Sequence, residues 1–214
     1  PNPNFNPGEG EIYPGFGDHP GSGDWGGNIS GDQISITYGL HAGQNLVSFP
    51  FNMSVGQSEI SNIMAALSNQ LPTGVYISGL VGAGGATSWN PTIQQLVGNI
   101  THINPLESYW LAIQPADAPS FHVSLQGQSI LANGNPIYNV NAVVPTYISY
   151  PGLRPANFCT AVGNIGDLGA YNIVGEGVAA QYSSSQTGTC GNGWMGNLTN
   201  HGFHPGDGFI ITST

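Results

Sequence analysis

His201, His204 and Asp207 fall within the short stretch HGFHPGD, where two imidazoles and a carboxylate stand close together. Those are the donor types that hold a transition-metal ion. Their spacing lacks the helical register of a His-Glu-x-x-His pair, so they remain candidates and no metal is assigned. Asp18, Asp24 and Asp32, in GDHPGSGDWGGNISGD, could offer oxygen ligands to Ca²⁺ together with backbone carbonyls. Solvated turn aspartates are the simpler reading. Hydrolysis would need a nucleophile with an activating base, or two facing carboxylates. No Gly-x-Ser-x-Gly stretch occurs, and five of the 11 acidic residues lie in the first 36. Glu107 and Asp207 sit at equivalent turn positions. No catalytic residue is assigned, and the chain is not expected to be an enzyme.

Cys159 and Cys190 are the only cysteines, and an even pair in a secreted chain favours a disulfide. Four Asn-x-Ser/Thr sequons begin at Asn28, Asn52, Asn99 and Asn197, and their functional reading is surface glycosylation. Trp89, Tyr109, Trp110, Tyr182 and Trp194 could form a platform for stacking a sugar. Most are expected in the core, because a small sandwich needs large side chains inside.

Composition narrows the class. Charged residues are 6% of the 214, against about 25% in an ordinary soluble domain, so the polar surface must be built from Asn, Gln, Ser, Thr and backbone. There is no lysine, and the single arginine, Arg154, directly precedes Pro155, leaving trypsin-like proteases almost nothing to cut. The formal charge of −10 removes the attraction that drives binding to nucleic acid and anionic lipid. No apolar run approaches the roughly 18–20 residues of a membrane span. With Pro1 at its start, the chain is expected to be a mature secreted protein.

Residues 1 to 36 are dense in Gly, Pro, Asn and Asp, and such a segment cannot bury enough surface to fold alone. It carries isolated apolar residues, Phe5, Ile12, Tyr13, Phe16, Trp25 and Ile29, spaced like anchors along an extended arm. From Ile34 the chain turns to short β-like runs broken by Gly, Pro and Asn: ISITYGL, NLVSFPF, GVYISGLV, SYWLAI, SFHVSL, PIYNVNAVV, TYISYPG, YNIVGEGVAAQYS and DGFIITST. Frequent strands with turn signals predict an all-β, sandwich-like fold with minor α content. One helix is predicted in SEISNIMAALSNQL, with Ser58 as N-cap and Ile60, Ile63, Met64 and Leu67 recurring at three and four. PANFCTAVG is a shorter counterpart.

These runs repeat. NLVSFP answers to TYISYP, VYISGLVGAGGATSW to YNIVGEGVAAQYS, and GNITHINPLESYWLAI to GNLTNHGFHPGDGFIIT, in the same order. Two tandem β modules are therefore expected, over 37–118 and 119–214, behind the arm. Each closes with a strand of period two, Tyr109, Leu111 and Ile113 in the first and Phe209 and Ile211 in the second.

Residues 34 to 214 loosely resemble tandem β modules of secreted prokaryotic surface proteins, in which a GWNLIS-P-like strand opens the unit and a PG-GYW-like strand closes it. This chain departs from that pattern at Gln44, where an aromatic is usual, and at VVPTYISYP in the second copy. The resemblance implies architecture and an extracellular compartment, and no active residues. The expectation is a non-enzymatic extracellular subunit that polymerises with copies of itself through its arm. Without lysine, neither Lys-Asn isopeptide staples nor lysine-linked sortase polymers are open to it. A carbohydrate-binding or adhesin module is the alternative.

Overall fold

The computed structural model describes residues 33–52, 59–93, 95–130, 140, 143–152, 154–162, 171–185, 188 and 193–213. The arm anchors Phe5, Ile12, Tyr13, Phe16, Trp25 and Ile29 lie outside them. Among the described residues the chain is mostly β, with thirteen strands and three short helices.

The short runs between turns pair into three antiparallel sheets. One five-stranded sheet runs, edge to edge, β2 (Gly43–Ser48), β7 (Ser108–Gln114), β4 (Tyr76–Gly82), β5 (Gly85–Asn90) and β6 (Gln95–Gly98). A second runs β9 (Thr146–Ser149), β13 (Gly208–Ser213), β10 (Tyr171–Gly175), β11 (Val178–Tyr182) and β12 (Trp194–Met195). The two orders correspond strand for strand: an opening strand at one edge, the closing strand beside it, then a hairpin, then a short outer strand. A third, three-stranded sheet sets β8 (Phe121–Ser129) between β1 (Gln33–Leu40) and β3 (Phe51–Asn52).

Alternating apolar residues give each five-stranded sheet a buried face. In β7, Tyr109, Leu111 and Ile113 are buried, while Trp110 and Ala112 are half-buried on the other face. The face of Tyr109, Leu111 and Ile113 packs with Ile36, Tyr38 and Leu40 of β1, Phe49 and Phe51, and Val123 and Leu125 of β8. Helix α1 (Ile60–Ser68) adds Ile60, Ile63, Met64 and Leu67, each contributing roughly 1.5–3 kcal/mol by burial. Its N-cap position is held by Glu59, which makes no side-chain cap bond. The expected cap, Ser58, lies outside the described residues, and packing rather than capping holds the helix.

The second core is aromatic. Trp194, fully buried, meets Phe158 edge-on at 5.1 Å and Tyr182 at 5.4 Å, and Phe203 lies over Phe158 at 5.5 Å. Phe158 belongs to α2 (Phe158–Val162), the counterpart of α1 expected in PANFCTAVG.

The sheets also show what the text of the chain conceals. Gln33 to Ile36, counted with the arm, are the start of β1, which pairs with β8 along its whole length. β8 in turn buries Val123 and Leu125 in the first core rather than the second. Of the strand expected over PIYNVNAVV, only Val140, Val143 and Val144 are described, and none is in a strand.

Candidate functional site

Two sequons share one structural task. The exposed Asn99 accepts a hydrogen bond from the Ala86 N–H through Oδ1 (2.8 Å), and its Nδ2 donates to the Gly84 carbonyl (3.3 Å). Asn197 does the same to the Ala179 N–H (2.8 Å) and the Gly177 carbonyl (3.1 Å). Each side chain clamps the hairpin turn of its own sheet, β4–β5 in one and β10–β11 in the other. The glycine before each asparagine lets the backbone approach. A Cβ on Gly98 would lie 2.1 Å from the Ala86 carbonyl, and one on Gly196 would lie 2.3 Å from that of Ala179. The repeated Gly-Asn is thus a hairpin clamp. Asn52 lies in β3, and Asn28 is outside the described residues.

The closing turns serve the opposite sheet. Ser48, at the end of β2, donates its N–H to the Gly206 carbonyl (2.7 Å) and its Oγ–H to the Asp207 carbonyl (2.8 Å). Ser149, at the end of β9, donates its N–H to the Leu106 carbonyl (3.0 Å) and its Oγ–H to the Pro105 carbonyl (2.6 Å). The opening strand of each sheet is therefore capped by the Pro-x-acid turn of the other, in an exchange close to two-fold. Glu176, at the β10–β11 turn, completes the junction: Oε2 accepts the Leu46 N–H (2.7 Å) and Oε1 meets His41 Nε2. The His41 pKa is raised, first by the bond its ring makes to the Ala42 carbonyl and then by Glu176. Sequence reasoning passed over this pair. A single acid between glycines, in a body so poor in charge, was the available signal.

His201, His204 and Asp207 come together on the second closing turn. Asp207 Oδ2 is 3.3 Å from His204 Nδ1 and 4.0 Å from His201 Nε2, and it accepts the His204 backbone N–H at 3.1 Å. The two rings meet edge-on at 4.6 Å. Glu107, at the matching turn, instead accepts from Asn104 Nδ2 (2.8 Å).

A groove of about 740 Å³ runs between α1 and β6, floored by Ile60, Met64, Ile77 and Leu96, with Glu59, Gln95 and His102 among its polar lining. Trp89, 38% exposed, lies along it. The other aromatics do not join it as a platform: Tyr109 and Trp194 are core residues, Tyr182 packs on Trp194, and Trp110 is half-buried on β7. Burial pushes the Tyr109 phenol up to about 12 and raises that of Tyr38, so both stay protonated near neutrality.

Cys159 sits on α2, and no cysteine is free among the described residues. Its expected partner Cys190 lies outside them, as do Asp18, Asp24 and Asp32. No helix among the described residues is long and apolar enough to cross a membrane. Comparison with protein-family models, curated proteins and solved structures returns no match.

Proposed function

We propose that the chain is a non-enzymatic, extracellular structural subunit that assembles with copies of itself, each subunit's residues 1 to 36 docking on its neighbour. The observation that carries this reading is the unequal treatment of the sheet edges. The opening edges, β2 and β9, are capped by the opposite closing turns. The far edges, β6 of the first sheet and β12 of the second, have no strand beside them among the described residues, and β6 is the longer of the two. β6 carries the exposed Val97, lies beside the exposed Trp89 and Ile93, and borders the groove. Unpaired apolar edges are receptors for an added strand.

Fully extended, the arm spans on the order of 100 Å, so reach is no obstacle. Docking would combine backbone ladder bonds to β6 with aromatic anchors of the arm filling the groove. Heterologous contacts of this kind build open fibres when the rotation does not close. The exposed Asn99 and Asn197 use one amide hydrogen each for their clamps and keep the other for a glycan, which peptide mapping after chymotrypsin will detect or refute.

Trp89 over a groove with polar lining favours one second reading, a carbohydrate-binding or adhesin module. Negative-stain microscopy and polysaccharide affinity gels separate the two. Long regular fibres support assembly, whereas dispersed monomers retarded by a polysaccharide support the alternative.

A further inference from the structure

The two closing turns are an internal comparison. In the first, Asn104 closes the turn: its Oδ1 accepts the Leu106 N–H (3.1 Å) and its Nδ2 donates to Glu107 Oε1 (2.8 Å). In the second, His204 stands where Asn104 does and Asp207 where Glu107 does. The second copy is also longer by two residues between its Gly-Asn and its closing turn, where it forms α3 (Leu198–His201). The Pro-x-acid turn forms in the first copy with Asn104 in the place of His204. That turn therefore does not depend on a histidine at its first position.

Their geometry suits a ligand. One donor atom from each of His201, His204 and Asp207 lies within 4.8 Å of the others. The distances from Asp207 Oδ2 to the two imidazoles, 3.3 Å and 4.0 Å, bracket the separation of about 3.4 Å between two donors placed about 2.1 Å from a tetrahedral ion. All three side chains are sheltered, His201 20%, His204 13% and Asp207 29% exposed. Asp207 Oδ2 is already oriented by the His204 backbone N–H, the kind of outer contact that fixes a ligand's direction.

We propose that His201, His204 and Asp207 bind one divalent transition-metal ion of the zinc class. Two imidazoles and a carboxylate suit such an ion, and one carboxylate would leave the neutral-histidine site at a charge opposite to the cation's. A fourth position stays open to water or to a donor from a second copy. The ion would tie α3 to the turn before β13. Through the Asp207 carbonyl, which accepts the Ser48 Oγ–H, it would brace the junction as well.

The test uses the full chain, stripped with a chelator and titrated calorimetrically with Zn²⁺ alone, and with Co²⁺ as a spectroscopic probe. One equivalent of zinc is expected, with visible absorption from a low-coordinate cobalt complex and a melting temperature that climbs with zinc concentration. His204→Asn restores the residue of the first turn, so it should fold and melt like the parent in chelator. Its zinc affinity should fall by no less than the ~10–100-fold that losing an outer partner costs. His201→Gln, altered at the end of α3, is the second variant should the first unfold. No zinc uptake at micromolar concentrations overturns the proposal. So does uptake unchanged in both variants, which would move the ion to His19, His41, His102 or His122.

Discussion

Asn99 and Asn197 hold two different hairpins by the same pair of bonds, each accepting from the second strand and donating to the turn. Replacing either by alanine should cost about 1 kcal/mol, the net worth of a modest hydrogen-bond pair at an exposed turn. Aspartate keeps the acceptor for Ala86 or Ala179 and should cost less. Urea unfolding of the four variants checks both the size and the order of the effects.

Gly196 has φ +121° and no room for a side chain against the Ala179 carbonyl. Gly196→Ala should therefore destabilise by about 1–3 kcal/mol or more, as overpacking against an unyielding neighbour does. Gly177, at φ +69° with open space around its missing Cβ, should lose less on the same change, from backbone strain alone. Thermal melts of the two variants compare them directly.

The His41–Glu176 pair makes the junction sensitive to pH. Because the His41 pKa is raised on folding, its contribution is fully present below the ordinary histidine value of about 6.5. It is lost as pH rises through the raised value. The melting temperature should thus fall across that window. Glu176→Gln should flatten the slope without abolishing it, because the Ala42 bond remains. A slope unchanged in that variant would remove Glu176 from the linkage.

Cys159 and Cys190 are expected to pair within one chain, closing a loop of about 30 residues worth roughly 3–4 kcal/mol in the chain-entropy model. Intact mass before and after alkylation should find no free thiol in native material, and reduction should lower the melting temperature. Two alkylated cysteines without reduction would dispose of the pairing.

Much of the fold was legible because it rests on local periodicity. The alternation in SYWLAI and FIITS placed the closing strands, and the spacing of Ile60, Ile63, Met64 and Leu67 placed α1. β5 and β6 were not separately foreseen, since GATSWN and QLVG carry too few apolar residues to signal a strand. The pairing of β1 with β8 joins residues about ninety positions apart and leaves no local trace. The repeated Gly-Asn was visible as a phrase, but its meaning lay in the Ala86 and Ala179 N–H groups that it meets. The cross-capping by Ser48 and Ser149 uses backbone carbonyls, which no residue type announces. The cluster at His201, His204 and Asp207 was readable by residue type, while its convergence required the turn.

Assembly through the arm is tested most directly by a chain beginning at Gln33, compared with the full chain by sedimentation and negative-stain microscopy at matched concentration. Because β1 and both cores lie beyond that point, the shortened chain should keep the circular dichroism and cooperative melting of the parent. It should remain monomeric where the full chain forms fibres. Normal fibres from the shortened chain would contradict the account, as would cross-linking that joins the arm only to its own subunit.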